Sequence, residues 1–204
     1  MLKKILSKVL VVVLGLVILF VSVARAGLSL MAQDNGLDLL KNDEVKFMTI
    51  FGDGETASGT YKMPQVGMLP SHVFYGFKRV RDYIWVALSQ GMNKPKLVLL
   101  MADKKVVEFE KLSQAGLRDT AIEAGNEAID KLKYANDLVV TSKFIDAQTK
   151  QLRMQILWAG LAYKEVFNRN EKDHRIDNEK YTILIAKINE WNKAQEENRF
   201  NWNY

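Results

Sequence analysis

Met68-Leu69-Pro70-Ser71-His72-Val73-Phe74-Tyr75-Gly76-Phe77-Lys78-Arg79 opens the part of the chain from which the fold is read. Pro70 stops any helix arriving from upstream, because a proline pushes the residue before it out of helical geometry. Ser71 then stands where an N-cap belongs, its hydroxyl able to accept a backbone N–H of the first turn. Val73, Phe77, Val80, Ile84 and Leu88 follow at steps of three and four. That spacing predicts one apolar face of a helix ending near Gly91. The expectation is that Phe77 packs into a core shared with Phe109.

Asn93-Lys94-Pro95 restarts the chain, and proline is tolerated in a first helical turn. Leu97, Leu100, Met101 and Val107 form one apolar row, and Leu99, Ala102, Val106 and Phe109 a second. Two neighbouring rows predict a helix covered on more than one side. Gly116 ends it where a left-handed residue is needed. The short link to the next helix makes the two antiparallel neighbours. That third helix carries Ala121, Gly125, Ala128, Leu132 and Ala135 on one face, small enough for close backbone approach.

Three features of this region carry a family resemblance. They are the opening Leu69-Pro70-Ser71-x-x-Phe74-Tyr75-x-Phe77-Lys78-Arg79, the helix with Lys96-x-x-Leu99 and Ala102-Asp103-Lys104-Lys105-x-x-Glu108-Phe109, and Gly116 followed by an Ala-rich helix. Together they resemble a bacterial domain family of unknown function that opens on a Leu-Pro-x-Ser-x-x-Tyr-x-Leu-Lys type signature. The resemblance covers residues 69–138 and implies an extracytoplasmic helical module behind an N-terminal membrane segment. It carries no assigned activity, so no catalytic residue is transferred. The chain departs from the family at Phe77, where a smaller aliphatic residue is usual, and in the helical region after Leu138.

The N-terminus agrees with export. Lys3, Lys4 and Lys8 precede an apolar run from Val9 to Val21, and Ala24-Arg25-Ala26 has small residues at the two positions a signal peptidase reads. The run is short for a spanning helix, which needs about 20 residues. Counted from Ile5 to Ala24, it also suffices as an uncleaved anchor. Residues 1–26 are therefore a signal peptide cut after Ala26, or an anchor, with the basic end cytoplasmic and the body outside. Of the net charge of +5, Lys3, Lys4, Lys8 and Arg25 supply four. The body is close to neutral, and nucleic acid is not expected as a partner. With no cysteine there is neither a disulfide nor a thiolate metal site.

Residues 27–68 have a different texture. Asp34-Asn35-Gly36, Gly52-Asp53-Gly54-Glu55 and Ser58-Gly59 are turn signals. Val45, Phe47 and Thr49 alternate with Lys46, Met48 and Ile50 without a clear polar face. A flexible spacer is preferred to a short hairpin around residues 52–59. Asp53-Gly54-Glu55 lacks the ladder of oxygen ligands a calcium loop needs.

Residues 139–204 predict a helical hairpin with an aromatic tail. Thr141-Ser142 breaks the third helix. A fourth carries Ile145, Leu152, Ile156, Ala159, Tyr163 and Val166 on one face. The polar run from Asn168 to His174 is expected to be a solvated loop. A fifth helix carries Tyr181, Leu184, Ile185, Ile188 and Trp191. The fold class is thus all-α: a bundle of about five helices behind a signal or anchor and a spacer.

No nucleophile elbow, phosphate loop or zinc-protease motif is present in the sequence. His72 and His174 lie far apart. The carboxylates Asp103, Glu108, Glu110, Asp119, Glu123, Glu127 and Asp130 are expected on a solvated face. Tyr75, Lys78, Arg79, Arg81 and Trp85 are the candidate binding residues. Such a basic and aromatic cluster suits lipid headgroups or a polymer. Its spacing equally suits the wet flank of a core helix, and that assignment is preferred. The expected function is an exported or membrane-tethered helical interaction module of the cell envelope. It is not an enzyme, and it has no cofactor or metal. Its partner is another envelope protein, with the N-terminal segment in the membrane. The alternative is an envelope protein that holds a solute or metal between helices.

Overall fold

The computed structural model describes residues 14, 15, 18, 22, 43–50, 56–65, 69, 75–142, 147–174 and 179–199. Among them run β1 (Asp43–Ile50), β2 (Thr56–Met63), α1 (Tyr75–Leu88), α2 (Asn93–Gln114), α3 (Arg118–Val140), α4 (Ala147–His174) and α5 (Glu179–Arg199). Helices dominate, so the all-α expectation holds, with one two-stranded sheet added to it. The chain divides into two compact units. One contains α1 with residues of Met1–Lys41, and the other spans Asn42–Leu69 and Ser89–Tyr204.

The second unit is built on α2. Both of its expected apolar rows are buried, from Leu97 through Phe109 to Leu112. The helix stops in a Schellman turn. Gly116 takes φ of +76°, its N–H reaches the Ser113 carbonyl at 3.0 Å, and the Leu117 N–H reaches the Leu112 carbonyl at 2.9 Å. That turn folds α3 back along α2. The small face of α3 is buried throughout at Ala121, Gly125, Ala128, Leu132 and Ala135. Gly125 lets α3 press against Leu184 of α5 and Phe109 of α2: an added Cβ would meet Leu184 at 2.8 Å and Phe109 at 3.2 Å.

Phe109 is the centre of the core. Its ring meets Phe167 of α4 edge-on at 4.7 Å and stacks on Tyr181 of α5 at 6.1 Å. Tyr181 also donates its hydroxyl to the Phe167 carbonyl. The expected stripes of α4 and α5 are inside, including Leu152, Ile156, Tyr163, Leu184, Ile188 and Trp191. Ile145 lies outside the described residues. Where α4 and α5 meet, the Gly160 position has no room for a side chain, since a Cβ there would overlap the Trp191 ring.

Three expectations are corrected. Asn168 to His174 is not a loop but the last two turns of α4. Asn170 is buried and donates to the Val166 carbonyl at 2.8 Å, while Arg169 pairs with Glu110 of α2 at 2.6 Å. The run contains neither Gly nor Pro, and tertiary partners hold it helical.

The second correction concerns the spacer. Residues 43–50 and 56–63 form an antiparallel hairpin in which Phe47 opposes Gly59. Val45 and Phe47 face inward and are buried, and Met48 faces out, 75% exposed. The Phe47 ring fills the space above Gly59, where a Cβ would come within 2.9 Å, and it also meets Trp158 of α4 at 6.0 Å. Gly59 is thus a strand residue that makes room for a ring. The Gly52–Gly54 turn signals lie outside the described residues.

The third correction is Phe77. It is not buried: it is 66% exposed, and α1 has no buried residue. The helix ends at Leu88, before Gly91, whose φ is +58°. Pro70, Ser71, His72, Val73 and Phe74 lie outside the described residues, so the expected cap does too.

Candidate functional site

Two groups of polar side chains inside the bundle, and the surface of α1, are where chemistry concentrates. In the first group Asp103 of α2 is buried between two tyrosines. Tyr163 of α4 donates to Oδ1 at 2.7 Å, and Tyr61 of β2 lies 3.1 Å from both carboxylate oxygens. These bonds join the hairpin, α2 and α4 at one carboxyl. Burial pushes that carboxyl up to about 7, against the opposing pull of the Tyr163 and Tyr61 hydroxyls and of Lys104. Both phenols are pushed well above their usual range, mainly by burial and then by the Asp103 charge. They stay protonated at neutral pH and act as donors. A buried carboxyl survives here because its hydrogen bonds replace water.

In the second group Glu108 is fully buried, and Lys105 lies 2.9 Å from it and 2.8 Å from Glu127 of α3. The pair therefore links α2 to α3. Asp103 and Glu108 are not on a solvated face, contrary to expectation. The wheel of α2 carries the signal for this. Asp103 stands four residues after Leu99 and three before Val106, and Glu108 four before Leu112, so both lie inside the covered arc. Exposed Asp119 does behave as expected, pairing with Lys180 at the surface at 2.9 Å.

A cleft of about 370 Å³ opens between the hairpin, α2 and α4, with Glu44, Met63, Glu110, Lys111 and Arg169 on its walls. Glu110 and Arg169 already pair with each other there. Among the described residues no group of three His, Cys, Asp or Glu is placed to hold a metal.

The candidate binding residues share α1, in the other unit. Lys78 Nζ sits over the Tyr75 ring, 5.1 Å from its centre. Arg81 holds Asp82 with Nε at 2.8 Å and Nη2 at 2.5 Å, and its Nη1 donates to Ser22 Oγ at 3.1 Å. Arg79 is exposed and Trp85 is half-buried. The apolar positions beside the cluster are the more exposed ones. Phe77 is 66%, Val80 52% and Leu88 71% exposed, whereas the Arg81 and Asp82 side chains are 18% and 21% exposed. Ala24 and Ala26 lie outside the described residues, as does His72. His174 is the last residue of α4. Among the described residues no helix is long and apolar enough to cross a membrane.

No family model, no curated protein and no solved structure matches the chain.

Proposed function

We propose that the chain is a membrane-tethered, non-catalytic helical interaction module of the cell envelope. Its body is exported, and its partner is another envelope protein. The observation that carries this reading is the composition of the smaller unit. There α1 and the N-terminal apolar run belong together, joined by the Arg81–Ser22 hydrogen bond. Cleavage after Ala26 would remove Ser22, so this contact belongs to the tethered form. The basic residues before the apolar run support the same orientation, with the body outside. In the bundle, Asp103 joins α2 to the hairpin and to α4, and Lys105 with Glu127 joins α2 to α3, which is a structural use of charge.

Fractionation with N-terminal sequencing tests the reading. The expected result is an intact chain in the membrane fraction whose body is digested by protease added outside the membrane. A soluble cytoplasmic protein beginning at Met1 would overturn it.

A further inference from the structure

A carboxyl taken out of water is held by a cation, by donors, or by keeping its proton. Among the described residues the partners of Asp103 are two phenols, Tyr61 from β2 and Tyr163 from α4. The charge that acts on it is that of Lys104, the next residue of α2, and it makes no ion pair. Lys105 holds Glu108 and Glu127 instead. While the carboxyl keeps its proton, it and the two phenols bond one another with no net charge. Once the proton leaves, a charge is buried that neutral donors must hold without water. Water relieves it, and for water to enter, one of the elements over Asp103 has to give way.

Those elements are held very differently. Helix α4 cannot leave without breaking the core, where Phe167 meets both Phe109 and Tyr181. That core is made by α2, α3, α4 and α5. The hairpin lies on α2 and α4, through Val45, Phe47, Tyr61 and Met63. It has two strands, a number marginal on its own in water. An element at the edge with few anchors opens before the body it rests on. The cleft described above is the mouth of the same seam. Val107, one turn beyond Asp103 on α2, lines it, and so does Met63, two residues beyond Tyr61 on the inward face of β2.

We propose that the β1–β2 hairpin is a latch on the helical bundle, closed while Asp103 keeps its proton and loosened when that proton leaves. Burial brings the carboxyl to about 7, so the change falls near neutrality. A carboxyl raised in the docked state makes docking firmest in acid. Docking then weakens as pH rises toward 7 and levels off above it. Tyr61 and Tyr163 are pushed well above their usual range and keep their protons throughout. Loosening uncovers Val45, Phe47 and Met63 and widens the cleft into an apolar groove between α2 and α4. The latch works whether or not the chain is tethered.

The chain has no cysteine, so a single thiol reports on one position. Val45→Cys places it under the hairpin and Ile129→Cys in the middle of α3, both at buried positions. Each is made in the full chain, with Asp103 and with Asp103→Asn. Labelling by a pyridyl disulfide, which reacts with thiols even in mild acid, is followed from about pH 5 to about pH 8. Each rate is divided by that of the same chain unfolded in urea at the same pH. With Asp103 in place, labelling at 45 should be about a hundredfold faster than at 129 and should rise about tenfold over the range. With Asp103→Asn the rise at 45 should disappear. Equal rates at 45 and 129 would mean that the hairpin leaves only when the bundle unfolds, and the inference falls. A rate at 45 that stays level with Asp103 in place, or rises as steeply with Asp103→Asn, overturns it as well.

Discussion

Helices α1 and α2 follow one another in the chain and carry equally regular apolar spacing, yet they use it in opposite ways. In α2 the rows through Leu97, Val106 and Phe109 are buried, and so are two carboxylates beside them. In α1 the stripe through Phe77, Val80 and Leu88 is the exposed side. Periodicity establishes that a helix is two-faced. It does not say what covers the apolar face, which depends on the elements that come to meet it. For α2 these are α3, α4, α5 and β2, each with recognisable stripes or partners of its own. For α1 a partner within its own unit is Ser22 of the N-terminal segment, met through Arg81 rather than through the apolar stripe.

The most direct way to break this comparison is to shorten one phenylalanine on each helix. Phe109→Ala should destabilise the bundle by about 3–5 kcal/mol, since its ring is wedged between Phe167 and Tyr181. Phe77→Ala should shift the same denaturant melt by less than about 0.5 kcal/mol. Equal losses would mean that α1 shares the core after all, and the distinction between the two helices would fail.

Much of the second unit is legible from residues alone. The rows of α2, the small face of α3 and the stripes of α4 and α5 each repeat at helical spacing, and Gly116 marks its turn by conformation. What escapes are features whose cause lies far along the chain. Asp103 finds Tyr61 and Tyr163 at separations of 42 and 60 residues, with no local pattern to announce them. Glu108 looks like one more surface acid until the covered arc of α2 is drawn wide enough to include it. Gly59 has the look of a turn residue, and only the register that sets it opposite Phe47 makes it part of a strand. The polar end of α4 resembles a loop because its helicity depends on Glu110 and on the buried Asn170. For α1 the spacing is correctly read, but its outward direction depends on the surroundings of the helix. The candidate residues Tyr75, Lys78, Arg79, Arg81 and Trp85 do fall on one element, as a local cluster must. The Arg81–Ser22 bond spans 59 residues and has no local signature.

A second test sharpens the contrast in how the two helices treat charge. Lys105 lies within reach of fully buried Glu108 and of Glu127. Lys105→Met takes that cation from a carboxylate that has left water, and the expected loss is about 3 kcal/mol. The double change Lys105→Met with Glu108→Leu should recover a large part of it, because neither charge then remains buried. If the single change costs less than about 0.5 kcal/mol, the charges of α2 are no more committed than those of a surface helix.

The smallest expected effect comes from Asp103, and its sign depends on pH. The carboxyl titrates at about 7 in the folded chain and near its ordinary value of 3.8 when unfolded. Between those two values the folded protein holds a proton that the unfolded chain releases. Stability from this group is therefore fully present below about pH 4 and is lost as pH rises toward 7. Above 7 the carboxylate is ionised in both states, and burial of its charge weighs in full. Asp103→Asn cannot titrate. Its amide oxygen accepts from Tyr163, and its amide nitrogen donates to Tyr61 once that hydroxyl turns, so both tyrosines keep a partner. Between pH 5 and 7 the wild-type chain should lose about 2 kcal/mol relative to Asp103→Asn, with the difference level above pH 8. Denaturant melts of the two proteins across that range measure it directly. A wild-type chain that instead gains on the variant as pH rises would show that the two tyrosine hydroxyls outweigh burial. Asp103 would then be a charged anchor for the hairpin, and α2 would be a less enclosed helix than its apolar rows imply.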